Sequence, residues 1–177
     1  WLPLPIPVQS GAGALRLWFD VHDGIPEGVV ADVELANVRA RLGENLPPLD
    51  LVHLAGRIAF ERSGARYAVT ARELSFVAPD GVRVVPADVV LRYELGNDGE
   101  TRNGRIAVSH LELAPVTSLA AHLPLPNAVR EHVARHAPRG TLTEAAVDWE
   151  GPLAQPVSFR TRGTFHDLGA SAHGSLP

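Results

Sequence analysis

The chain is predicted to be mainly β: a long, twisted, bulged antiparallel sheet, open as a groove or closed as a sandwich. One short helical pair interrupts it at about residues 115–137. Three observations predict this. Most of the chain alternates apolar and polar residues, the period of a sheet with one covered face. Breaks rich in Gly, Pro and Asn, such as "RSGAR", "APDGV" and "GNDGETRNG", separate the alternating runs at hairpin distances. Only one region changes to helical spacing.

The first run, "ALRLWFDVHDG", puts Leu15, Leu17, Phe19 and Val21 on one side and Arg16, Trp18, Asp20 and His22 on the other. Asp23-Gly24 then supplies turn chemistry. "VVADVELANVRARL" sets Val29, Ala31, Val33 and Leu35 inward but continues with Val38, Ala40 and Leu42. Its phase slips by one residue near Ala36-Asn37, as a β-bulge requires. "HLAGRIAF" gives Leu54, Gly56, Ile58 and Phe60. "ARYAVTARELSF" gives Tyr67, Val69 and Ala71, then slips to Leu74 and Phe76. "DVVLRYEL" aligns Val89, Leu91, Tyr93 and Leu95. "GRIAVSHLELA" offers Ile106 and Val108 before slipping to Leu111 and Leu113. The slips in "DVELANV", "ARELSFV" and "SHLELAPV" form a weak internal repeat of bent strands. Pro86, inside "VRVVPADVV", has to fall at an edge, a bulge or a strand start because it cannot donate to a ladder.

In "APVTSLAAHL", Val116, Leu119, Ala120 and Leu123 fall at helical spacing, with Pro115 suited to the first turn. A second helix follows in "PLPNAVREHVARHAPRG", opened by Pro126 and closed by Pro138 and Gly140, with Leu125, Val129 and Val133 as its apolar stripe. Strands resume in "TLTEAAVDWEG" (Leu142, then Ala145, Val147 and Trp149) and "QPVSFRTRGTF" (Val157, Phe159, Thr161 and Phe165). The expected organisation is one unit over residues 1–177, with strands at 10–113, the helical pair at 114–139 and further strands at 140–168.

Composition narrows the chemistry. The 16 basic residues are all Arg, against 20 Asp and Glu, so neither a Schiff-base lysine nor a phosphate-loop lysine is available. The arginines are interleaved with acids and make no basic face, which argues against nucleic acid as a partner. The lack of Cys excludes disulfides and thiolate sites. No apolar run is long enough to span a bilayer, and "WLPLPIPVQS" lacks the plan of a signal peptide. Beginning on Trp1 and without Met, the chain is expected to be an internal piece of a longer polypeptide, with any membrane anchor outside it.

The sharpest catalytic candidate is "HLPLPNAVREHVARHAPRG". There His132 and His136 stand four apart, a spacing that can hold a metal on a helix. Glu131 precedes the first His rather than following it, and no second cluster of ligands accompanies the pair, so the expected role is structural and the expected metal is none. Asp148 and Glu150 flank Trp149 on one strand face, a conceivable carboxylate pair that reads more simply as a solvated face. Ser109 and His110 are strand neighbours and point to opposite sides, which spoils a nucleophile–base contact. No nucleophile elbow, phosphate loop or dinucleotide fingerprint is present. The residues point to no enzyme and no cofactor.

Three segments carry a family resemblance: "SGAGALRLWFDVHDG", "VVADVELANVRARLGENLPPLDLVHLAGRIAFERSGARYAVTARELSF" and "HLELAPVTSLAAHLPLPNAVREHVARHAPRGTLTEAAVDWEG". The last is the most specific: Leu-x-Leu-x-Pro, an amphipathic stretch, Leu-Pro-Leu-Pro, a short helix, Pro-Arg-Gly, a strand and Trp-x-Gly. Together they resemble the AsmA-like bacterial envelope proteins, in the YhdP branch related to TamB. The resemblance implies a non-enzymatic segment of a long periplasmic protein anchored in the inner membrane. Its apolar groove would conduct phospholipid acyl chains towards the outer membrane, and its neighbours would be adjoining repeats of the same polypeptide. Membrane contact would fall to other parts of the parent chain. The inward positions Leu15, Leu17, Phe19, Val33, Leu35, Ile58, Phe60, Val69, Leu91, Tyr93, Val108, Val147 and Phe159 are the candidate groove lining. On the residues alone, a sheet closed on itself around a dry core is the simpler expectation. Such a sandwich could bind carbohydrate or protein, with Trp18 or Trp149 as a stacking platform.

Overall fold

The computed structural model describes residues 8–170 apart from 23, 44, 124, 126 and 154. Eight strands follow one another as neighbours in a single antiparallel sheet: β1 (Val8–His22), β2 (Ile25–Ala40), β3 (Leu49–Ser63), β4 (Arg66–Val77), β5 (Arg83–Leu95), β6 (Thr101–Glu112), β7 (Arg139–Glu150) and β8 (Ser158–Gly169). β1 pairs only with β2 and β8 only with β7, so the sheet is open. The closed sandwich that the residues alone favour does not form. No second sheet exists among the described residues, and they leave the apolar face uncovered over most of its width.

The bends arise where the alternation slips. Asn37, Glu73 and Glu144 all take left-handed backbone conformations, with φ of 51°, 50° and 52°. At Asn37 the β1–β2 register shifts, while the β2–β3 register runs through unchanged. β3 therefore slips in step with β2, from Leu54 to Leu51, and both stay in phase. At Glu73 the register breaks towards both neighbours. The freed Glu73 N–H donates to Asp88 Oδ1 at 2.9 Å, and the Asp88 N–H donates to Ser109 Oγ at 2.9 Å. Side-chain acceptors thus replace ladder acceptors across three strands. The slip in β6 is matched by Glu144 in β7, so the β6–β7 register is unbroken and the shift appears between β7 and β8. Pro86 lies beside a register shift in the β4–β5 ladder, outside the paired stretch of β5 and β6, where its missing N–H is not needed.

The helical pair sits between β6 and β7: α1 (Leu113–Leu119) runs into a 3₁₀ turn (Ala120–His122), and α2 (Asn127–His136) follows. Leu113 therefore opens α1 rather than ending a strand. Leu119 and Ala120 bury the predicted stripe, but Val129 of α2 is exposed, so α1 carries the packing. Ala137, at φ 39°, closes α2 by turning left-handed, and its N–H donates to Val133 O at 2.9 Å. Gly140 already belongs to β7. Pro126, expected to open the second helix, lies outside the described residues.

Among the described residues, a cluster of buried hydrophobic side chains forms at the helix end of the sheet. Val38 (2% exposed), Ala40, Leu49, Leu51, Ala78 and Leu119 form it, and Leu35, Leu42, Leu54, Phe76 and Val82 pack against it. β1 and β8 are exposed at every residue whose side chain is described.

Candidate functional site: the uncovered apolar face

Direct cross-strand partners in an antiparallel sheet share a face, so the pairing register arranges the inward side chains into rows across the strands. The middle row is Phe19, Val29, Phe60, Val69, Leu91, Ile106, Val147 and Thr161. Next towards the helices come Leu17, Ala31, Ile58, Ala71, Val89, Val108 and Ala145, then Leu15, Val33 and Gly56. Towards the hairpins lie Arg62, Tyr67, Tyr93, Gly104, Trp149 and Phe159. All the candidate positions fall on this one face. Leu35 sits against the covered core, and the others lie beyond it. Seven strand spacings of about 4.8 Å make the middle row roughly 34 Å long.

Exposure varies along the rows. Phe19 (58%), Leu15 (55%) and Phe159 (71%) stand open on the outer strands, and Leu17 and Ile106 are also exposed. Val69, Leu91, Val108 and Val147 are half-buried by their neighbours alone. Soluble chains rarely leave a contiguous apolar surface of this extent without a partner for it. Val29 and Ile106 complete the middle row although neither stood among the candidates. Their inward parity was readable from the alternation. Gly104 was not readable, because its role is to leave room for the Trp149 ring.

Aromatic side chains gather at the hairpin end. Tyr67 and Tyr93 stack with centroids 5.1 Å apart and planes 7° from parallel, and Phe60 tilts against Tyr67 at 6.2 Å. The Arg62 guanidinium lies 5.6 Å from the Tyr67 ring centre. Burial, with a further contribution from Tyr67, raises the Tyr93 hydroxyl above its ordinary pKa. Trp149 is 6% exposed and lies flat on Gly104, so it cannot serve as a stacking platform.

The opposite face is polar, and several of its charged side chains are paired. Arg57 clasps Asp32 through Nε to Oδ1 and Nη2 to Oδ2, the latter at 2.9 Å, and lies 5.8 Å from the Trp18 ring. Trp18 is exposed there, as its parity predicts. The Arg57 hydrogen bond holds the Asp32 carboxyl below its ordinary pKa. A depressed carboxylate adds stability above its unfolded pKa and loses it as pH falls through the folded value. Asp148 meets Arg105 at 3.4 Å, and Glu150 accepts a hydrogen bond from Ser158 at 3.1 Å, so each member of the imagined carboxylate pair has its own partner. Hollows of about 830 Å³ at the hairpin end and about 490 Å³ near Glu144 are lined chiefly by such polar-face residues.

The His132 and His136 rings lie 4.9 Å apart on α2, and no third potential ligand joins them among the described residues. Replacing both with Ala is expected to leave zinc and nickel uptake unchanged. Calorimetry showing stoichiometric micromolar binding that the double variant loses would restore a metal site.

A single uncovered sheet with one apolar face, a helical cap at one end and the Leu-Pro-Leu-Pro segment between its helices restates the features behind the resemblance. The model of the YhdP protein family matches residues 1–177, the whole chain. The chain belongs to the YhdP family. YhdP is an AsmA-like family of bacterial envelope proteins related to TamB, and it is not known for enzymatic activity. No curated protein and no solved structure matches the chain. No helix among the described residues of this YhdP segment is long and apolar enough to cross a membrane.

Proposed function

We propose that this YhdP segment is a non-enzymatic part of a periplasmic lipid-transport protein. In this reading its apolar face conducts phospholipid acyl chains between the inner and outer membranes. The observation that carries it is the row from Phe19 to Val147: seven apolar side chains, one from each of seven adjacent strands, over which the described residues place no second sheet, with Val29 alone buried among its neighbours. Acyl chains need no directional partners, only a path free of unpaired polar groups. Each methylene laid on such a face gains about 0.8 kcal/mol when fully buried, so a tail held along part of the row binds firmly yet can move along it. The edges β1 and β8 suit strand-to-strand joining with adjoining repeats of the same polypeptide, which would lengthen the face. Anchorage in the inner membrane then belongs to other parts of the parent chain.

Photo-crosslinking residues at Ile58 and Leu91 test this in the intact parent protein. They are expected to capture phospholipid, whereas the outward Arg57 and Arg92 positions do not. Equal labelling of both faces would overturn the reading.

A further inference from the structure

We propose that the row at the hairpin end of the apolar face receives the phosphate and ester end of a diacyl phospholipid, orienting its tails over the aliphatic rows towards the helices. This rests on the lipid reading above and adds a polarity to it. The apolar face is not uniform. Its middle rows are aliphatic apart from two Phe side chains and the terminal Thr161, whereas the hairpin row runs Arg62, Tyr67, Tyr93, Gly104, Trp149 and Phe159. Tyr and Trp combine an apolar body with a polar tip, the arrangement suited to a boundary between hydrocarbon and headgroup.

Each polar group in that row can donate a hydrogen bond, and most of that capacity is unused. Arg62 donates from Nε to Gly64 O at 3.4 Å and rests on Tyr67, but it makes no ion pair among the described residues. Glu27, one residue beyond the Gly28–Glu61 pair of the β2–β3 ladder, makes no ion pair with it. Neither the Tyr67 nor the Tyr93 hydroxyl has a partner among the described residues. The Trp149 indole N–H is buried without an acceptor. With almost no accessible surface in this conformation, that N–H does not itself meet a ligand, and the accessible donors of the row are Arg62 and the two tyrosine hydroxyls. On the polar face Arg57, Arg66 and Arg105 have carboxylates, while Arg72 and Arg92 make no ion pair among the described residues, so Arg62 is set apart by its place in the aromatic row. An anionic phosphate with ester carbonyls beside it supplies acceptors only, complementing this set of donors, and the guanidinium fork suits a phosphate. At the opposite end of the face the core under α1 is aliphatic apart from Phe76, with no charged side chain in it. The two ends therefore differ in the sense that a lipid's two ends differ.

Two photoactivatable phosphatidylglycerols test the orientation, one with a diazirine on the headgroup and one with it at the end of a tail. After irradiation with the purified protein, the headgroup probe is expected to label residues around 62, 67 and 93. The tail probe is expected to label the rows around 58, 89 and 108. The reverse pattern, or the same pattern from both probes, overturns the orientation while leaving lipid binding standing. Labelling by neither probe overturns the lipid reading itself. Arg62→Gln, at an exposed position, is expected to weaken phosphatidylglycerol binding about tenfold and to leave diacylglycerol with the same tails unaffected. Equal loss for both lipids, or for neither, overturns the role of Arg62.

Discussion

Ile58→Asp is expected to stop lipid passage through the parent protein while the segment stays folded. Ile58 lies in the row Leu17, Ala31, Ile58, Ala71, Val89 and Val108, half-buried by neighbours on its own face. Without lipid a carboxylate there still reaches water, so the folding cost is the lost side-chain packing, about 1–2 kcal/mol. Under an acyl chain the same carboxylate is desolvated without a counter-ion, at a cost of several kcal/mol. Three kcal/mol alone lowers occupancy of that point by roughly 150-fold. Arg72→Asp, outward and exposed in the adjacent strand, is the control and should leave passage near normal. Val38→Asp supplies the opposite contrast. Val38 is 2% exposed in the core under α1, and a charge there should unfold the segment outright. Transport assays alongside thermal unfolding of the three variants decide the matter. A well-folded Ile58→Asp protein with normal lipid traffic would mean that the apolar face is only core.

The contrast between Ile58 and Val38 also shows what the sequence could and could not reveal. Parity told inward from outward at every candidate position, because period-2 alternation records which face each residue takes. It even located the bulges at Asn37 and Glu73 from a one-residue slip. It could not say what covers the inward face, since Val38 and Ile58 both read simply as apolar and inward. Coverage is decided by where α1 docks, and that depends on the path of residues 113–136 over the sheet. For the same reason the closed sandwich was the simpler expectation: an apolar face asks to be buried, and nothing local announces that it is left open. The end of α2 before Pro138 is legible, but the left-handed turn itself falls on Ala137, which carries no such signature.

Gly104→Ala is expected to destabilise the segment by about 2–3 kcal/mol, as overpacking does in a tight core. Few sites here would lose so much from a single methyl group. Gly104 lies between Tyr93 and Trp149 in the hairpin-end row, and the Trp149 ring occupies the space a side chain would need. A Cβ on Gly104 would stand 2.2 Å from Trp149 Cζ2, 2.5 Å from Cη2 and 2.7 Å from Cε2. These are atoms of a rigid ring, so the clash is relieved only by moving the whole indole off the sheet. The backbone at Gly104 is not among the left-handed glycines, so an Ala there meets no conformational penalty of its own. Trp149→Ala alone removes the largest buried surface of the row, at about 3–5 kcal/mol. The double variant Gly104→Ala with Trp149→Ala should cost little more than Trp149→Ala, because the clash has gone with the ring. That non-additivity marks direct contact rather than two separate weaknesses. Urea midpoints of the four proteins measure it. Additive losses, or a Gly104→Ala protein as stable as the parent, would show that the indole does not rest on Gly104, and the donor row at this end of the face would lose its geometric basis.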